Sequence, residues 1–197
     1  MPNQSLPSIQ LATVEDIPEI LAMIRELAAH EKAEDKVLAT EASLKRTLTF
    51  APSASASHTN AGYARTLILR VPASASATDV VPGTAAADVP AAVAGMAMYF
   101  NNYSTWRAKP GVYLEDLFVR PRYRQRGYGK LLLQALARET LRIDGGRLEW
   151  CCLRWNEASL RFYESIGARQ MGDWVSLRVD GGELEALARG RVGEKGV

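Results

Sequence analysis

Two glycines and three cations crowd into seven residues, Arg124-Gln125-Arg126-Gly127-Tyr128-Gly129-Lys130. The stretch before them, Val112 to Val119, reads as a strand, and Lys130 to Arg142 after them repeats leucine at helical spacing. A turn that opens a helix presents main-chain N–H groups with no helical partner, and the helix dipole adds positive potential. Gly127 and Gly129 let the backbone approach an anion closely, while Arg124, Arg126 and Lys130 surround the spot with charge. The chemistry this turn supports is the holding of a phosphate, and the plain alternative is a solvated turn with helix-capping glycines. It is not a Walker A loop, because Arg124 stands where that loop needs its first glycine and Leu131 where it needs Ser or Thr. It is not a Rossmann fingerprint either, because Leu132 replaces the third glycine. Arg120, Arg122, Arg124 and Arg126 also form a basic run, but no second basic cluster with stacking aromatics supports nucleic-acid binding.

The elements that must position this turn follow from periodicity. Residues 9–12 read as a first strand, with Thr13 or Asp16 capping a helix whose buried face is Ile17, Ile20, Leu21, Ile24, Leu27 and Ala28. That helix should fade into the charged stretch from His30 to Lys36, and a second is expected from Thr40, using Leu44 and Leu48. Tyr63 to Val71 and Ala91 to Phe100 read as antiparallel strands. The helix from Lys130 to Arg142 should turn Leu131, Leu132, Leu133, Ala135, Leu136 and Leu141 inward and stop at Gly145-Gly146. A strand over Arg147 to Arg154, a short helix over Asn156 to Ile166 and a last strand over Trp174 to Val179 complete the pattern, before a turn at Asp180-Gly181-Gly182. Alternating strands and helices imply an α/β layered fold. Residues 51–62 and 72–90 are Ala/Ser-rich and lack large apolar side chains, so they read as flexible loop insertions in one domain.

Composition narrows the function. A 197-residue chain with 24 Lys plus Arg, 22 Asp plus Glu and 47% hydrophobic residues is that of an ordinary globular protein, and its net charge of +2 excludes a polyanion-coating role. No apolar run approaches the ~20 residues of a membrane span, and no secretory signal is legible at the N-terminus, so a reducing, cytoplasmic setting is expected. Cys151 and Cys152 are adjacent, without an adjacent His, and read as core or strand residues rather than nucleophiles or a disulfide. With only His30 and His58 beside them, no metal site is expected.

Two motifs then combine. Arg124-x-x-Gly127-x-Gly129, after a strand that ends in Val-Arg-Pro, resembles the acyl-CoA-binding motif of the GNAT N-acetyltransferase superfamily. Asn156-Glu-Ala-Ser159 followed by Phe162-Tyr163 and Gly167-Ala168 resembles that superfamily's second conserved block. Glu26 to Glu31, Ala97 to Phe100, Tyr103 to Trp106, Tyr113 to Asp116, Trp155 to Glu157 and Asp173-Trp174 resemble its diamine (spermidine/spermine) and thialysine acetyltransferase branch. The resemblance covers residues 9–188 and leaves 189–197 as a tail. It implies a single domain with a mixed, mostly antiparallel central sheet and helices on both faces. It implies acetyl transfer from acetyl-CoA to a primary amine of a small cationic substrate, and a homodimer. Acetylation of peptides, or acyl-CoA binding without catalysis, are the competing readings.

The resemblance also distributes roles. Glu115 is implied as general base, since an alkyl ammonium must lose a proton before attack, and Tyr163 as the general acid for the departing thiolate. Leu117, through its strand N–H, would serve the oxyanion, with Phe118 and Val119 continuing along the pantetheine arm. Asn156 would bond the same arm or cap its own helix, and Arg124, Gln125, Arg126, Gly127, Tyr128, Gly129 and Lys130 would surround the pyrophosphate. Glu31, Trp106, Asp116 and Trp174 would line the amine pocket, with Asp173 nearby. Ser104 stands where spermidine/spermine members carry an acid, which favours a shorter, amino-acid-like amine such as thialysine or lysine, or a small diamine.

Overall fold

The computed structural model describes residues 6–54, 61–72 and 91–191. Residues 55–60 of the first Ala/Ser-rich insertion, with His58, residues 73–90 of the second, and both chain ends lie outside them. Residue contacts divide the chain into two compact units, Met1–Cys151 and Cys152–Val197.

In the first unit, β1 (Ser8–Leu11) leads into α1 (Ile17–His30), then α2 (Glu41–Thr47), β2 (Leu48–Thr49), β3 (Ala64–Val71), β4 (Ala92–Ser104), β5 (Lys109–Val119), α3 (Tyr128–Arg142) and β6 (Leu148–Trp150). The sheet runs β1-β3-β4-β5-β6, with β2 also on β3. Pairings β1·β3, β3·β4 and β4·β5 are antiparallel, whereas β2·β3 and β5·β6 are parallel. This is the mixed, mostly antiparallel sheet the resemblance implies. Ile68, Met96, Met98 and Phe118 project to one face and pack with Ile17, Ile20, Leu21 and Met23 of α1 and Leu44 of α2. Tyr99, on the other face, feels the charges of Glu139 and Arg142 on α3. Helices therefore cover both faces.

Local rules explain most boundaries. Thr13 donates its N–H to Asp16 Oδ2 at 2.9 Å, and Asp16, 6% exposed, also pairs with Arg70. The Thr40 hydroxyl caps α2 by accepting the Ser43 N–H at 3.1 Å. Leu48 does not extend that helix but opens β2, where it is buried. Leu131 and Leu141 turn outward, contrary to expectation, with Leu141 76% exposed. They lie about 140° around the helix from Leu136, whose stripe with Leu132, Leu133 and Thr140 is the buried one. β6 is only three residues long, so Cys151 and Cys152 are not strand residues: Cys151 is exposed and neither forms a disulfide.

The second unit holds α4 (Glu157–Ser165) and α5 (Gly181–Ala188). Trp174 to Val179 alternates as a strand should, yet carries no strand pairing. A strand is made by its neighbour's hydrogen bonds, and periodicity does not supply the neighbour. The Asp180-Gly181-Gly182 turn is instead the start of α5, whose Glu-Leu-Glu-Ala-Leu-Ala run consists of strong helix formers.

Candidate active site

β5 carries the site because its alternation is broken once. Tyr99 faces Leu114, but Met98 faces Asp116, so Glu115 is an extra residue, a β-bulge. Two hydrogen bonds reveal the consequence. Val112 donates its N–H to Arg147 O at 3.0 Å, towards β6, whereas Arg120 donates to Ala94 O at 3.0 Å, towards β4. Both are even-numbered and would point the same way in a regular strand. Past the bulge, the N–H groups of Leu117 and Val119 therefore face the β6 side, and the main chain of Phe118 faces β4. A Cβ on Gly95 would meet Phe118 O at 2.5 Å, which places that carbonyl against β4 and explains the glycine. β6 ends at Trp150, opposite Leu114. Among the described residues no strand covers the β5 edge beyond it, so Leu117 and Val119 present donors to an unpaired edge. The Phe118 side chain, 3% exposed, belongs to the core.

The bulge also inverts the side chains. Leu114 shares the α3 face with Tyr99, while Asp116 joins Met98 and Phe118 on the α1 face. There Asp116 sits under the influence of Glu115 and of Glu31, at the end of α1. Burial first, then the like charges of Glu115 and Glu31, push its carboxyl up to about 6. Tyr113, two residues earlier, stacks on Phe100 with ring centroids 5.0 Å apart and donates to Cys151 Sγ at 3.1 Å. Its hydroxyl is pushed up to about 12, by the Cys151 bond first, then burial and the nearby Cys151, Glu115 and Glu149 charges. This corner thus sets carboxylates near an aromatic pair, a combination that suits a cation.

At the end of the unpaired edge the chain turns through Pro121–Tyr123 and into α3. Gln125 at φ 61° and Gly127 at φ 77° both take left-handed conformations, the second a position that favours glycine. Tyr128, Gly129 and Lys130 open α3 ahead of its first backbone bond, Leu131 N–H to Gly127 O at 3.1 Å. Arg124, Gln125, Arg126, Gly127 and Lys130 are exposed, and only the Tyr128 side chain is buried. Arg124 Nε donates to Val119 O at 2.9 Å, so its guanidinium stands where the open edge meets the turn. Arg122 and Arg126 lie over the Tyr123 ring, 4.9 and 6.0 Å from its centroid.

Trp106 is 90% exposed on the β4–β5 turn, some 20 Å along the strand from Asp116 at ~3.3 Å per residue, so the chain does not bring it to Glu31 and Asp116. Ser104, beside that turn, is buried. In the second unit, Asn156 Oδ1 accepts the Ser159 N–H at 3.2 Å and so caps α4. Tyr163 lies in the same helix, its ring 5.4 Å from that of Phe162. Burial, then the Cys152 charge, push its hydroxyl up to about 12. Trp174 is 65% exposed and Asp173 is exposed beside it. Among the described residues no group of three His, Cys, Asp or Glu is placed to hold a metal ion. Sequence reading missed the bulge, Tyr113 and the Arg120 contacts described below. The adjacent Glu115-Asp116 pair inside an otherwise apolar strand was the available signal for the bulge.

The profile described as "Acetyltransferase (GNAT) family" matches residues 78–168, a span that crosses the boundary between the two units. An L-ornithine N5-acetyltransferase of Arabidopsis thaliana is 32% identical, over 91% of this chain and 86% of its own length. A thialysine N-epsilon-acetyltransferase of Sus scrofa is 30% identical, over 88% of this chain and 92% of its own. Among solved structures, a V. cholerae integron cassette protein superposes with a TM-score of 0.64 at 21% identity, over 93% of this chain and 98% of that one, a likeness of fold. A relative of this identity and coverage and the matching profile agree: the chain belongs to the GNAT family of acetyltransferases.

Proposed function

We propose that this enzyme transfers the acetyl group of acetyl-CoA to a primary amine on a small, amino-acid-like or diamine cation, of the ornithine, lysine or thialysine kind. The observation that carries the reading is the group of carboxylates Glu31, Glu115 and Asp116, whose charges act on one another beside the unpaired edge of β5. A group of carboxylates recruits an ammonium, and an unpaired strand edge offers N–H donors to a thioester carbonyl. The relatives named for ornithine and thialysine favour the same class of substrate.

The proton bookkeeping sets the roles. The ammonium arrives protonated, and Glu115 takes the proton directly or through water, freeing the nitrogen lone pair. The amine nitrogen attacks the thioester carbon, and the oxyanion is met by the Leu117 N–H. Collapse breaks the C–S bond, and Tyr163 donates its proton to the departing thiolate. A hydroxyl held near 12 keeps that proton through the neutral range. The turn from Arg124 to Lys130, with Gly127 and Gly129, holds the pyrophosphate, while Val119 and Asn156 bond the pantetheine arm and Phe118 holds the strand from within the core. Asp116 and Glu31 hold the cationic end of the substrate, and Trp174 offers an aromatic face. A homodimer is part of this reading, and the exposed Trp174, Val175 and Leu177 are apolar surface that an assembly would cover.

The direct test is acetyl-CoA-dependent thiol release with ornithine, thialysine, lysine, putrescine, spermidine and a histone-tail peptide. The expected order places the amino acids and the short diamine ahead of spermidine, with the peptide last. Turnover on the peptide alone would discard the small-cation pocket. A second test addresses the turn. Gly127→Ala meets no atom within 4 Å, so its cost is the left-handed backbone, about 1–2 kcal/mol. The KM for acetyl-CoA should rise several-fold while the amine KM stays constant. An unchanged acetyl-CoA KM would remove this turn from cofactor binding.

A further inference from the structure

Arg120 closes β5 with contacts no motif foretold. Its Nη2 lies 2.8 Å from Glu19 Oε2, its Nε donates to Glu26 Oε1 at 3.0 Å, and its Nη1 donates to Val93 O at 3.1 Å. The side chain is 14% exposed. Glu19 and Glu26 are two helical turns apart on α1, so one guanidinium spans both. At the other end of α1 stands Glu31, its C-cap; Asp116 is on the sheet face that α1 covers, and the Glu31 charge acts on it as a like charge. α1 is thus fastened to β5 attractively beside Arg120 and pushed from it beside Asp116. Its buried side chains, Ile17, Ile20, Leu21 and Met23, all lie in its first half. The second half, which leads to Glu31, is held by the partly buried Ile24 and Leu27 and by the Arg120–Glu26 pair.

We infer that Arg120 is a positioning residue for the amine: by clamping Glu19 and Glu26 it holds the end of α1 so that Glu31 stays near Asp116 despite their repulsion, keeping a carboxylate pair assembled for a cation. The inference rests on the reading that these two carboxylates meet the substrate amine. An arriving ammonium relieves the repulsion that the clamp sustains in the empty site. The charged groups around Asp116 are Glu115 on its own strand and Glu31 from α1, so loosening α1 withdraws one of the two. A lysine reaches one carboxylate as a point charge and cannot span two, whereas a methionine keeps the length and loses the charge.

The test compares Arg120→Met, Arg120→Lys and Glu26→Gln with the parent enzyme. The amine KM should rise about tenfold in Arg120→Met and less in Arg120→Lys and Glu26→Gln, with kcat and the acetyl-CoA KM within about twofold, the pattern of lost ground-state binding. The acid limb of kcat/KM for the amine should move to lower pH, because Asp116 loses a like-charged neighbour. A fall in kcat with an unchanged amine KM would reduce Arg120 to a stability role and overturn the inference. An equal rise in the acetyl-CoA KM would assign it to the anion turn instead. Glu26→Gln leaves Glu19 in place and supplies the answer if Arg120→Met folds poorly. Asp116→Asn separates the two levels. If it raises the amine KM while the Arg120 variants do not, the clamp fails and the site stands. If it leaves the amine KM unchanged, the site reading itself fails.

Discussion

Tyr163→Phe should lower kcat by about 10²-fold and leave acetyl-CoA affinity within twofold, since general acid catalysis contributes ~10²–10⁴. The substitution removes one oxygen and keeps the ring, so the 5.4 Å contact with Phe162 survives. The departing thiolate of CoA is a moderate leaving group, and a phenol that stays protonated up to about 12 can supply its proton at any assay pH near neutrality. No alkaline limb from Tyr163 should therefore appear in kcat below about pH 10 in the parent enzyme. Single-turnover rates with saturating amine, beside equilibrium titration of acetyl-CoA, separate the two quantities. A loss of acetyl-CoA affinity matching the loss of rate would make Tyr163 a binding residue. An unchanged rate would leave the thiolate to depart unassisted, with water as the eventual proton source.

What the sequence made legible was what neighbours in the chain decide. The glycines at 127 and 129, Leu132, Leu133 and Leu136 of α3 and the Asn156 cap are short-range signals, and each lies where spacing alone put it. What escaped depends on residues far apart. The bulge at Glu115 exists because β4 and β5 pair out of step, and its effect, the reversal of every N–H after it, cannot be seen in β5 alone. Arg120 looked like one more cation in a basic run, and only the fold sets it against carboxylates nearly a hundred residues earlier. The alternation over Trp174 to Val179 misled for the same reason in reverse, since a strand pattern needs a strand beside it. Leu131 and Leu141 were assigned inward because they are leucines, when the angle around the helix was the better guide.

The bulge also ties the two halves of the chemistry together. One extra residue in β5 turns the Leu117 and Val119 N–H groups to the uncovered edge and swings Asp116 to the α1 face. In a regular strand that kept Glu115 in the ladder, side-chain face and N–H direction would reverse together, and both would be lost. With Phe118 and Leu114 both required in cores on opposite faces, the packing itself enforces the irregularity.

Asp116→Asn should make the protein more stable and the enzyme worse, each in a defined pH window. The Asp116 carboxyl is pushed up from 3.8 to about 6, by burial first and then by Glu115 and Glu31. A carboxyl whose folded value exceeds its unfolded value favours the folded state only while protonated. Its ionisation destabilises the fold progressively as pH rises from about 4 through 6, and the penalty is complete above that, at roughly 2–3 kcal/mol. The asparagine variant escapes it but buries an amide, so a net gain of about 1–2 kcal/mol, or several degrees in Tm, is expected at pH 7.5. At pH 4 the gain should vanish. Activity moves the other way. Only the ionised carboxylate pairs with an ammonium, so kcat/KM for the amine in the parent enzyme should fall as pH drops below about 6. The variant should lose that limb and start about 10–100-fold lower at pH 7.5, the worth of one hydrogen bond to a charged group. Thermal melts and kcat/KM measured across the same buffers decide it. A variant that is less stable at pH 7.5, or that keeps both the limb and the parent's amine KM, would show that Asp116 neither bears this strain nor meets the substrate. A gain in stability bought with a loss of amine binding is what a group of like charges must give if its repulsion is held in place for a cation.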